Sequence, residues 1–240
     1  MTDTWKRMQV FSGGTLKLIA IVTMLIDHIG AAILYYSVYT EAGISLYYAT
    51  RRIGRIAFPI FCFLLVEGFL HTHDVKKYAT RLGIFCLLSE VPFDLALTGN
   101  ENSVWMHQNV FWTLLIALLV LVGLRLIENK IPVTASAWQG ILTVLCIAAG
   151  CTLAYLMHTD YDYKGVLAIC ILYLLRAHRG RQVIAGALCF LWEPWALIGF
   201  IPILLYNGKR GMSVKYFFYL FYPVHLLLLY LIAHILLRLY

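Results

Sequence analysis

Leu114-Leu-Ile-Ala-Leu-Leu-Val-Leu-Val-Gly-Leu124 is the stretch that decides the fold. A strand of a transmembrane barrel alternates apolar and polar residues over about 10 positions, and this run has no polar member. Its neighbours extend it to 109–127, close to the ~20 mostly apolar residues that a helix needs to cross a bilayer. Working outward, comparable stretches lie at 16–36, 53–72, 79–98, 137–157, 162–177, 181–206 and 216–237, separated by short polar breaks. Composition agrees: 62% of the 240 residues are hydrophobic and 13% charged, with a mean hydropathy of +0.80. Soluble domains are about half apolar and a quarter charged. The expected fold is all-α, a polytopic membrane helical bundle of about eight spanning segments. It fills 1–240 as one transmembrane domain and leaves no soluble domain.

The seventh stretch is broken by Trp192-Glu193-Pro194-Trp195, where proline removes a backbone donor and clashes with the preceding turn. Either one kinked helix crosses at 181–206, or two half-helices dip in and return. Cytoplasmic loops carry the excess of Lys and Arg. With the N-terminus inside and a returning hairpin, only Arg51, Arg52, Arg55, Lys164 and Arg238 of the 19 basic residues fall outside. A crossing helix moves Lys209, Arg210 and Lys215 outside and Arg238 inside, which leaves seven outside, so the returning hairpin is favoured. The net charge of +7 is dispersed among the breaks and suits topology rather than nucleic acid. The six cysteines lie in apolar stretches and suggest neither a disulfide framework nor a metal site. Met1 to Gly14 carries Lys6 and Arg7 but no small-residue cleavage pattern, so the first helix is expected to be retained.

Ionisable groups inside these stretches cost at least ~2.5–3.5 kcal/mol each at mid-bilayer, and therefore face a cavity or a partner. They are Asp27, His28, Glu67, Glu90, Asp94, Glu193 and His225. Histidine titrates nearest neutrality, which makes His28 a candidate general base, against the alternative of a histidine that hydrogen-bonds a neighbouring helix. Asp27 lies about 100° away around the helix and is expected to pair with Arg52 or Arg55. The trio Arg51, Arg52 and Arg55 could clamp an anion or neutralise Asp27. Glu67 needs a cationic or hydroxylic partner that the sequence does not identify. Glu90 and Asp94 share one helix face with Pro92 between them; a cation there would need further ligands from elsewhere, and no metal is assigned. His107 to Asn109 and His158 to Lys164 could shape the mouth of a site, or simply cap helices, with Asp162 a good N-cap for the sixth. The turn Tyr206-Asn-Gly-Lys209-Arg210-Gly211, together with Lys76, Lys77 and Arg81, could hold a polyphosphate such as coenzyme A, or be plain positive-inside loops.

Leu16 to Gly30 with Asp27-His28, Arg51 to Gly68, Ser89-Glu90-Val-Pro92-Phe-Asp94 and Tyr206 to His225 resemble the TraX family, over essentially the whole chain. The resemblance implies a multi-pass protein of the bacterial cytoplasmic membrane, and the charge bias of the loops puts its N-terminus inside. Through the wider group of transmembrane acyltransferases, it also implies transfer of an acetyl group from cytoplasmic acetyl-CoA to a pilin N-terminus or a cell-surface polymer. His28 takes the catalytic place in that picture, with Asp27 beside it. Lys76, Lys77 and Arg81, joined by Lys209 and Arg210, hold acetyl-CoA, which acts as a co-substrate and not as a tightly bound cofactor. The polar cluster of Arg51, Arg52, Arg55, Glu67, Glu90, Asp94, Glu193 and His225 is left for substrate or structure. Membrane lipids and the acyl acceptor are the implied partners. A small solute transporter or an assembly scaffold is the rival reading, since broken helices and midplane acids suit transporters too.

Overall fold

A computed structural model describes residues 9–37, 39–98, 107–212 and 215–236. Lys6, Arg7 and Arg238 lie outside the described residues. The long apolar stretches form helices: α1 (Gly13–Ala32), α2 (Glu41–Gly54), α3 (Ala57–His71), α4 (Val75–Phe93), α5 (Val110–Lys130), α6 (Ser136–Leu156), α7 (Asp162–Leu174), α8 (Arg179–Cys189), α9 (Phe200–Leu204) and α10 (Lys215–Leu231). Among the described residues five segments are long and apolar enough to cross a bilayer: Gly13–Tyr36, Glu41–His71, Val110–Lys130, Ser136–Leu156 and Phe217–His234. The remaining three expected spans are shorter or more polar. α4 carries Lys76, Lys77, Arg81 and Glu90, α7 has only 13 residues, and the 181–206 stretch is divided.

That divided stretch returns. α8 starts beside Glu67, bonded to Arg179, and ends near Arg55, which pairs with Glu193. Pro194 then opens a 3-10 turn, Pro194–Gly199, where its missing N–H costs nothing, and α9 leads back. Tyr206 arrives beside the start of α1: Phe11 N–H donates to Leu205 O at 3.1 Å and Asn207 N–H to Phe11 O at 2.9 Å. The bundle therefore has two distinct ends. At the N-terminal end lie Ser12, the α3–α4 turn, Lys130, Arg176 and the 206–212 turn. At the opposite end, which we term the pocket end, lie the α1–α2 connection, Asp94 to Thr98, the start of α5, the α6–α7 loop and Glu193.

Two local details depart from the sequence reading. The span expected at 53–72 starts earlier: α2 is a separate helix over Glu41–Gly54, capped by Thr40, whose side chain accepts from Gly43 N–H. It packs antiparallel against α1 so closely that a Cβ on Gly54 would overlap the Asp27 side chain, and one on Gly30 would overlap Thr50. The second correction concerns Asp162, which does not cap α7. Tyr161 occupies the cap position with no side-chain bond, and Asp162 is the first helical residue with φ of +51°.

α3 is the central helix. Phe58, Ile60, Cys62, Phe63, Leu65, Val66 and Phe69 are all buried, and the ring of Phe58 stacks on Tyr161 with centroids 3.4 Å apart. α6 is peripheral and buries only Gly150 and Ala154. Its exposed Trp138, Ile141, Val144, Leu145 and Leu156 would face solvent in a soluble protein and face lipid here.

Candidate functional site at the pocket end

α1 ends, α2 ends and α5 begins around a pocket of about 580 Å³ at the end of the bundle away from the N-terminus. Its polar lining includes Asp27, His28, Arg51, Arg55, Asp160 and Tyr161, and its apolar lining includes Met24, Phe58, Phe61, Phe93 and Val110. Six helices, α1 to α5 and α10, and the α6–α7 loop thus converge there. The loop is pinned: Gln108 N–H donates to His158 O at 3.1 Å and Asp160 N–H to Gln108 O at 2.9 Å.

His28 is 8% exposed and lines this pocket. Its Nδ1 lies 2.6 Å from Nε2 of His225 on α10, whose own Nδ1 lies 2.7 Å from the Phe221 carbonyl. Asp27 does not touch the imidazole. The expectation that it pairs with Arg52 or Arg55 is corrected, because Arg51 Nη1 donates to Asp27 Oδ2 at 2.7 Å. Antiparallel packing of α2 on α1 carries Arg51 over Asp27. Arg55, one turn further on, instead approaches Glu193 at 3.4 Å. Arg52 leaves the cluster altogether and lies over the Trp195 ring. The other carboxylate oxygen of Asp27, Oδ1, is buried without a hydrogen-bond partner, an unusual cost for a charged group and one expected where a ligand completes the shell.

Asp160 was singled out by the sequence only as part of a loop that could shape a mouth. Protein packs around it, yet its side chain stays open to the pocket. Removal from bulk water pushes its carboxyl up to about 6, opposed by the guanidinium of Arg55 and reinforced by Asp27.

The other polar residues are placed elsewhere. Glu67 finds its partner in Arg179 at 3.4 Å, near the N-terminal end. Glu90 accepts from the Asn109 amide and from Trp112 Nε1 at 3.0 Å, while Asn109 also caps α5. Asp94 is buried and opens a π-turn over Asp94–Thr98 after Pro92. Among the described residues no three His, Cys, Asp or Glu side chains converge as metal ligands.

The residues expected to hold coenzyme A do not line the pocket. Lys76 and Lys77 begin α4, whose cap Asp74 accepts from Lys77 N–H and is held below the usual carboxylate range by that bond. Lys209 and Arg210 lie in a turn, opened by Gly208 and Gly211 at positive φ, whose carbonyls bind the N–H groups of Gly13 and Gly14. All four are at the N-terminal end.

A family model described as TraX protein matches residues 12–233. A protein of Dichelobacter nodosus named "Probable fimbrial assembly protein FimC, serogroup H1" is 32% identical, with the match covering 91% of this chain and 94% of that protein. No solved structure matches. The match spans every element that builds the pocket, from α1 to the His225 turn of α10, and the chain belongs to the TraX family.

Proposed function

We propose that this chain is a membrane-embedded acyltransferase of surface-fibre assembly. The pocket receives the acceptor, and His28 is its general base. One observation carries the reading: the imidazole of His28 is held at Nδ1 by a neighbouring helix while the ring still lines a cavity large enough for a peptide terminus or a sugar. A purely structural histidine has no need of the cavity. The similarity to a probable fimbrial assembly protein favours a fibre subunit as acceptor, with a surface polymer as the second choice.

The donor implied by the family is acetyl-CoA. Lys76, Lys77, Arg81, Lys209 and Arg210 would bind its phosphates at the N-terminal end, which on the positive-inside rule faces the cytoplasm of a bacterial inner membrane. Ser12 and His28 are separated by about 24 Å of helix rise, so the donor approaches from one end and the acceptor from the other. In the chemical step the acceptor nitrogen or oxygen attacks the thioester carbonyl. The new C–N or C–O bond forms, the C–S bond breaks, and the acceptor proton passes to His28. Coenzyme A leaves as thiolate and takes up that proton from His28, which restores the base. Asp27–Arg51 and Arg55–Glu193 fix the pocket wall, and exclusion of bulk water suppresses hydrolysis of the thioester.

Purified protein in lipid nanodiscs, given labelled acetyl-CoA and a peptide bearing a free amino terminus, is expected to transfer label. Changing His28→Ala is expected to cut that transfer by about 100-fold or more while the protein still folds. Unchanged turnover in that variant, or uptake of a solute without any transfer, would overturn the reading in favour of a transporter.

A further inference from the structure

His225 lies 197 residues from His28, and no sequence spacing connects them, yet their ring nitrogens are 2.6 Å apart. The ring planes are parallel within 6° and the centroids are 4.9 Å apart, as an in-plane N–H···N bond of this length requires; a face-to-face stack would bring the centroids closer. Such a bond needs one donor and one acceptor. The neighbouring contact decides which is which. The Phe221 carbonyl, 2.7 Å from His225 Nδ1, can only accept, so His225 Nδ1 carries the proton. In a neutral ring, Nε2 is then the acceptor. His28 Nδ1 must donate to it, and the remaining nitrogen of His28, Nε2, is left with its lone pair.

We propose that His225 is a positioning residue that fixes His28 in the Nδ1–H tautomer and so makes Nε2 the basic atom of the site. The inference deepens the transferase reading and takes its catalytic meaning from it. Aromatic packing holds the pair in register: the Phe221 ring lies parallel to His225 with centroids 4.6 Å apart, and Tyr222 meets His28 edge-on at 6.0 Å. Tyr222 is in turn braced by Phe111 on α5. When His28 Nε2 takes a proton from the acceptor, the resulting imidazolium keeps its Nδ1–H bond to His225 and can share the charge along it. Other charges near the pair are the guanidiniums of Arg51 and Arg55, which are matched by Asp27 and Glu193. Asp27 is bonded to Arg51, and His28 Nδ1 is already taken by His225, so Asp27 does not fill the orienting role that an acid fills in other histidine bases.

Nitrogen NMR on histidine-labelled protein in nanodiscs reads the tautomer directly, with His28→Asn used to assign the signal. Wild-type His28 is expected to carry its proton on Nδ1. His225→Gln keeps an acceptor oxygen at the same place and is expected to retain that tautomer, with transfer of labelled acetyl within about tenfold of wild type. His225→Leu removes the acceptor, and His28 is expected to shift to the Nε2–H form, with transfer falling about 100-fold. A wild-type His28 protonated on Nε2, or a tautomer unmoved in His225→Leu, would overturn the proposal. If His28 is found Nδ1-protonated while the wild type transfers no label, the histidine pair stands and the transferase reading alone falls.

Discussion

The two ends of this bundle use the same chemistry, arginine against carboxylate, for different purposes. Near the N-terminal end the described pairs are tied to the backbone, directly or through a neighbouring side chain. Arg176 grips both oxygens of Glu128, at 3.2 and 2.8 Å, and also the Tyr173 carbonyl. Arg179 bridges Glu67 and Gln182, which in turn donates to the Leu172 carbonyl, and its guanidinium lies over the Phe63 ring. Arg125 donates to the Phe69 carbonyl and covers that ring. At the pocket end, Arg51 and Arg55 each make one contact with an acid, and Asp27 Oδ1 and Thr159 Oγ1 are left without a hydrogen-bond partner. Saturated pairs hold helices together. Pairs with unused valence on the wall of a cavity are built to meet something else.

The largest expected effect separates these roles by stability. Arg179→Met leaves Glu67, whose side chain is 14% exposed, without its cation in an apolar setting. Removing one partner of a buried pair costs about 3 kcal/mol or more, so thermal unfolding in detergent should shift down clearly. The matching change at the pocket end, Arg51→Met, leaves an equally enclosed carboxylate, but Arg55 stands beside Asp27 as a second cation, so the loss of stability is expected to be smaller than in Arg179→Met. It should instead depress acyl transfer. Equal destabilisation by both variants would erase the distinction drawn between the two ends. A smaller effect tests the division of donor and acceptor. Changing Lys209→Ala together with Arg210→Ala should raise KM for acetyl-CoA about tenfold and leave kcat unchanged, as loss of phosphate contacts remote from the chemistry requires. A fall in kcat with unchanged KM would place the donor elsewhere.

Hydropathy made the helices legible because a bilayer imposes a length and a polarity that few other environments demand. The returning hairpin was legible for a similar reason: Pro194 marks the turn and the basic residues mark the side. α2 was not, since Tyr47, Tyr48, Arg51 and Arg52 give 41–54 the look of a polar break, while its helicity depends on close packing against α1 at Gly30 and Gly54. Partner choice within the site was legible only in kind. The sequence placed an arginine near Asp27 but could not tell Arg51 from its neighbours, because that depends on how far α2 slides along α1. Long-range pairs such as His28–His225 and Glu67–Arg179, 112 residues apart, leave no periodic signal.

Asp160 gives the smallest and most pH-dependent test of the pocket end. Removal from bulk water pushes its carboxyl up to about 6 in the folded protein, from an ordinary value of 3.8. Above about pH 6 the folded state carries an ionised carboxylate in an enclosed place, and this opposes folding. As pH falls from 6 towards 3.8, the folded protein takes up a proton that the unfolded chain does not yet bind, and the penalty fades. Below 3.8 both states are protonated and no difference remains. Asp160→Asn is therefore expected to raise the Tm at pH 8, to raise it less at pH 6, and to leave it unchanged at pH 4. The gain should stay under about 1 kcal/mol, since the residue is exposed. A gain equal at all three pH values would mean that the residue is ordinary loop packing. A cationic amine acceptor that narrows the pH 8 difference when added would instead mark Asp160 as the group that meets the acceptor's charge.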